Sequence, residues 1–90
     1  MIHKDCYMDS LLNKIIGEEL KRVRENAGLS LEELSNKIGN KVSRQTLSTY
    51  ETGRSKIKIS MFLDICKALG VNPVEVYENI NIRYFKNARL

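Results

Sequence analysis

A chain of 90 residues holds one compact domain and no more. Hydrophobic residues make up 42% and charged residues 29%, which excludes a disordered chain, and no apolar run approaches the roughly 20 residues that a membrane-spanning helix needs. Fifteen lysines and arginines against 11 acids leave a net charge of +4, and where they sit says more than how many there are.

Between positions 37 and 58 the bases are Lys37, Lys41, Arg44, Arg54, Lys56 and Lys58, and the one acid is Glu51. Such clustering is the electrostatic footprint of a surface for polyanions, nucleic acid above all. On charge alone an ordinary solvated face fits as well. Cys6 and Cys66 make no disulfide framework, and a reducing cytoplasm is the simplest setting for them. His3 has no Ser, Asp or Cys constellation around it, so neither catalysis nor a cofactor is expected, and a metal site made of Cys6 and His3 is a remote alternative.

Residues 1–10 read as a flexible leader without the apolar stretch of a secretory signal. Leu12, Ile16, Leu20, Val23 and Ala27 then recur every three or four residues, the spacing of a helix with one buried stripe. Leu11, Leu12 and Ile15 can extend it backwards, and Gly28 closes it with a left-handed residue. Ser30 and Glu33 form a capping box that opens a second helix, anchored by Leu34 and Ile38 and stopped at Gly39.

Ser43 caps a third helix, with Leu47 and Tyr50 pointing inward and Gly53 ending it. Ser60 opens a fourth, whose apolar side is Phe62, Ile65, Cys66 and Leu69 and whose end is Gly70. Asn72 and Pro73, with Glu75, start a fifth, which Val74, Tyr77 and Ile80 carry inward. No segment alternates as a strand does. The expected architecture is all-α: a compact five-helix domain over 11–80, followed by a tail at 81–90.

Helices at about 30–38 and 43–52, in series with a glycine-containing turn between them, have helix-turn-helix geometry. The segments "IGEELKRVRENAGLSLEELSNKIG", "VSRQTLSTYETGR" and "ICKALGVNPVEVY" resemble, in that order, the phage repressor and Cro type of helix-turn-helix domain, the lambda-repressor-like or xenobiotic-response-element family. The resemblance implies that helix 3 enters the major groove of DNA. It implies base reading by Arg44, Gln45 and Thr49, with Ser48 as a further candidate. Arginine can bond guanine O6 and N7 in parallel, and glutamine can do the same for adenine. Phosphate contacts fall to Thr46, Arg54 and Lys56, with Lys41 and Lys58 as flanking candidates. The resemblance also pairs Arg24 with Glu51 as a structural ion pair, which accounts for an acid inside a basic stretch.

Three positions and one turn depart from the family pattern. Leu31 stands where glutamine commonly braces a phosphate, and Ser35 where a small alanine is usual. The turn through Gly39, Asn40, Lys41 and Val42 is about two residues longer than the tight family turn, and Ile57 replaces the usual proline. The tail "NINIRYFKNARL" mixes Arg83, Lys86 and Arg89 with Ile82, Tyr84 and Phe85; self-association is the first reading of it, a disordered basic tail or a contact with flanking DNA or a membrane surface the others.

The expectation is a non-enzymatic, cytoplasmic, sequence-specific DNA-binding regulator, a homodimeric repressor on an inverted-repeat operator. The rival reading is an antitoxin or adaptor that holds another protein, a toxin for instance, with DNA binding secondary. General binding to RNA or DNA is a third.

Overall fold

The computed structural model describes the backbone of residues 4–88 and the side chains of residues 10–87. Five helices follow one another: α1 (Lys4–Asn26), α2 (Leu31–Lys37), α3 (Arg44–Glu51), α4 (Ile59–Leu69) and α5 (Pro73–Ala88). Among the described residues there is no strand. The long α1 packs on both α3 and α5, α2 lies against α3 and α4, and α4 closes onto α5.

The core draws on every helix. Ile15, Leu20 and Val23 come from α1, Leu34 from α2 with Ile38 at its cap, Leu47 from α3, Phe62, Ile65 and Cys66 from α4, and Val76 and Ile80 from α5. Burial pushes the Cys66 thiol above its ordinary pKa, so it stays protonated and acts as a small apolar residue. His3 lies outside the described residues and Cys6 outside the described side chains.

Three sequence expectations need correction. Ala27 is exposed, because α1 ends at Asn26 and Ala27 already lies in the turn; Ile15 joins Leu20 and Val23 in the buried stripe, with Leu12 and Ile16 half-buried beside it. Ser60 does not open α4. The helix starts one residue earlier, capped by Lys58 with no side-chain bond, the Phe62 N–H donating to the Lys58 carbonyl at 3.0 Å. In α5, Val74 and Tyr77 point out, at 65% and 60% exposure, and Val76 and Ile80 point in. Apolar residues line this helix on two faces, and the pair at i and i+4 that meets α1 and α4 wins the core. The cap holds as read: the Asn72 carboxamide accepts from the Val74 N–H at 2.9 Å, and Pro73 is the first helical residue.

The ends are more regular than the pattern promised. Residues 4–10, read as leader, continue α1, and residues 81–88, read as tail, continue α5. Arg83 ties that last stretch down: its guanidinium donates to Glu18 and, at 3.0 Å, to the buried Glu19.

Candidate nucleic-acid interface

Helix α3 is held firmly at one end and projects at the other. At its C-terminal end the Arg24 guanidinium donates to both oxygens of Glu51, at 2.7 and 3.0 Å, and to the Leu29 carbonyl at 2.7 Å. Both side chains are more than nine-tenths buried. The Glu51 carboxylate raises the Arg24 pKa further, outweighing the opposite pull of burial. The arrangement therefore removes the acid of the basic stretch from the surface.

Gly17 of α1 abuts the same end of α3. A Cβ on it would lie 2.5 Å from the Glu51 carbonyl oxygen and still closer to that of Tyr50, so only glycine lets these two backbones meet. Nothing in the local sequence pattern singles out Gly17, because its constraint comes from a helix more than thirty positions away.

At its N-terminal end Ser43 adopts an extended conformation and its hydroxyl accepts from the Thr46 N–H at 3.2 Å. Leu47, 1% exposed, is the keel that fixes which side of α3 faces inward. With Leu47, Tyr50 and Glu51 turned in, the 100° step per residue leaves Gln45, Ser48, Thr49 and Thr52 around the outer face, with Arg44 and Thr46 at its edges. Arg44 and Gln45 are exposed, and among the described residues neither side chain is tied to another group. Sequence does not single out Thr52, although it lies one turn beyond Ser48 on the same face; its hydroxyl donates to the Ser48 carbonyl at 3.0 Å.

The hydroxyl hydrogen of Thr49 is spent on the Thr46 carbonyl at 2.6 Å. What it offers outward is a lone pair and a methyl group, suited to a thymine methyl rather than to donation. Thr46 shares a hydrogen bond with Ser43, at 3.2 Å between hydroxyl oxygens. Arg54, Lys56 and Lys58 lie on the exposed segment between α3 and α4. Lys41 is exposed but engaged, its ammonium 3.0 Å from Asp64 of α4.

The preceding helix supplies the frame. Ser30 and Glu33 complete the reciprocal capping box, at 3.0 and 2.8 Å. Leu31 packs half-buried against the core and offers no donor where the family pattern has one, and Ile57 likewise packs inward. In the turn, Gly39 and Asn40 both have positive φ, 75° and 58°, and the buried Ser35 hydroxyl donates to the Val42 carbonyl at 2.7 Å.

Two short helices sharing a core, the second offering an arginine, an amide and hydroxyls outward among exposed cations, match what comparison with known proteins returns. The helix-turn-helix family model matches residues 20–76. The chain belongs to the lambda-repressor-like helix-turn-helix family. Members of this family are DNA-binding transcriptional regulators, and the present chain is one of them.

An uncharacterized HTH-type transcriptional regulator of Sinorhizobium fredii, y4dJ, is 34% identical over 65 residues, covering 72% of this chain and 82% of that protein. A putative HTH-type transcriptional regulatory protein of Picrophilus torridus is 33% identical over 75 residues, covering 83% of this chain but 23% of that longer protein. Two crystal structures of the clp gene regulator ClgR from Corynebacterium glutamicum superpose with TM-scores of 0.72 and 0.77 at 28% and 27% identity, covering 78% and 87% of this chain and 88% and 81% of theirs. Among the described residues no helix of this family member is long and apolar enough to cross a membrane.

Proposed function

We propose that this protein is a homodimeric repressor that reads an inverted-repeat operator with α3 in the major groove, silencing transcription by occupancy. The observation that carries the reading is the exposed front of α3, where Arg44 and Gln45 stand without partners among the described residues while the acid of the basic stretch, Glu51, is locked to Arg24. Arg44 and Gln45 read base edges, with Thr49 and Ser48 one turn on. Thr46, Arg54, Lys56 and Lys58 hold phosphates and set register. Lys41 joins them by exchanging Asp64 for a phosphate. No catalytic step and no cofactor enter, and the site of action is the cytoplasm.

Two-fold symmetry would place two copies of α3 about 34 Å apart, in successive major grooves. Support for a second copy comes from exposed apolar side chains, Ile59 and Leu63 on α4 and Val74, Tyr77, Ile82 and Phe85 on α5. Beside them Leu12, Ile16, Ile57, Phe62 and Ile80 line an apolar groove. The same surface is the one an antitoxin or adaptor would use, so the two readings part on DNA and not on this face.

Selection of bound fragments from a random duplex pool tests the proposal. The regulator enriches one inverted repeat and keeps a preference of at least about 10³ over scrambled duplex at physiological salt. Arg44→Ala then costs about 1–3 kcal/mol on that operator and relaxes preference at one base pair. Enrichment of no sequence, or operator binding by Arg44→Ala equal to the parent's, rejects it.

A further inference from the structure

A turn longer than the family's raises a mechanical problem. Four residues separate the Ile38 cap of α2 from the Ser43 cap of α3, and two of them take left-handed conformations. Such a link would ordinarily let the second helix swing. It is instead gathered onto one residue. Ser35 is 6% exposed, and its hydroxyl donates to the Val42 carbonyl at 2.7 Å, immediately before the cap of α3. The Asn40 N–H donates to the Ser35 carbonyl at 2.9 Å, and the Asn40 carboxamide oxygen lies 3.5 Å from the same hydroxyl. Lys41, between them, is moored to Asp64 of α4.

We infer that Ser35 is a positioning residue for sequence reading: its hydroxyl, by holding the Val42 carbonyl, fixes the angle at which α3 presents Arg44 and Gln45. This rests on the proposed reading of DNA by α3. Alanine, the family's usual residue here, has no hydroxyl to give, which is tolerable in a short turn and not in this one. The lever is steep. Eight residues make α3 about 12 Å long. Its far end is pinned by Arg24 and Gly17, so a tilt of about 15° would carry the reading end roughly 3 Å, the length of a hydrogen bond. Base contacts fail at that displacement, whereas long flexible lysines still find phosphates. A brace of this kind therefore acts on specificity and leaves general affinity alone, a signature that plain destabilisation lacks.

The experiment measures dissociation constants of the full chain for its selected operator and for a scrambled duplex, in parent, Ser35→Ala and Ser35→Thr, well below each melting midpoint. Threonine keeps the donor, and residue 35 borders an open cleft lined also by Glu32, Asn36, Asn40 and Arg44. Ser35→Ala is expected to lower the operator-to-scrambled ratio by about tenfold, the worth of one bidentate base contact, with scrambled-duplex binding within about twofold of the parent. Ser35→Thr is expected to retain the parent ratio, and it carries the test if the alanine variant does not fold. An unchanged ratio in Ser35→Ala overturns the inference whatever happens to its melting temperature, as does a folded Ser35→Thr that loses preference. A parent with no preference at all overturns the DNA reading itself, a result distinct from either.

Discussion

Arg24 and Glu51 show how one ion pair can serve a surface it does not belong to. Each is almost wholly buried, and each satisfies the other with two short hydrogen bonds. Removing one partner strands the other charge away from water, so Glu51→Ala should destabilise the fold by about 3–5 kcal/mol in denaturant titration. The same change would loosen the anchored end of α3 and leave Arg24 without its carboxylate. A loss below about 1 kcal/mol would mean that water or another acid replaces Glu51. Sequence disclosed this pair through the resemblance and through Glu51 being the one acid in its neighbourhood. It held no hint of Gly17, whose need for a missing Cβ is set by the carbonyls of Tyr50 and Glu51, nor of the buried hydroxyl of Ser35, which looks like a mild replacement until the path of the turn is known.

Among the elements, most helix ends announced themselves, whereas the starts of α1 and α4, the end of α5 and one face of α5 did not. Glycines close turns after α1, α2, α3 and α4 at positive φ, and Ser30, Ser43 and Asn72 cap as their spacing implies, because capping depends on a few neighbouring residues. The face of α5 depends on what it meets. Two apolar stripes compete along it, and the contacts with α1 and α4 decide between them, which is why Val74 and Tyr77 went the other way.

The tie between α5 and α1 also has a pH dependence. Burial favours protonation of Glu19, but hydrogen bonds from Arg22 and Arg83, together with their charges, prevail and hold its carboxyl below the ordinary value. A carboxyl depressed in the folded state stabilises the fold fully above the unfolded value of about 4.3 and loses that contribution as pH falls through the lower folded value. Glu19→Gln should therefore lower the urea midpoint at pH 7 and flatten its fall on acidification. An acid limb as steep in Glu19→Gln as in the parent would place the titrating group elsewhere.

For the whole molecule, the exposed front of α3 and the apolar side of α4 and α5 meet at the segment that joins α3 to α4, where Arg54, Lys56 and Lys58 are exposed and Ile57 lines the apolar groove. Under the proposed function α3 would face DNA while the outer side of α5 met a second copy. Ile59→Asp, at a position 72% exposed, should leave the melting temperature near the parent's, halve the mass in sedimentation, and weaken operator binding by about 100-fold through lost bivalency. A parent already monomeric at micromolar concentration, or a variant still dimeric, would move the second copy to another face or remove it.

The proposed function turns on residues 43–58 carrying the DNA surface. Backbone amide shifts, monitored while the protein is titrated with its selected duplex, address it residue by residue. The largest changes are expected at Ser43, Arg44, Gln45, Ser48 and Thr49, smaller ones at Arg54, Lys56 and Lys58, and little along the outer side of α5. Changes centred on α4 and α5, with α3 silent, would contradict it.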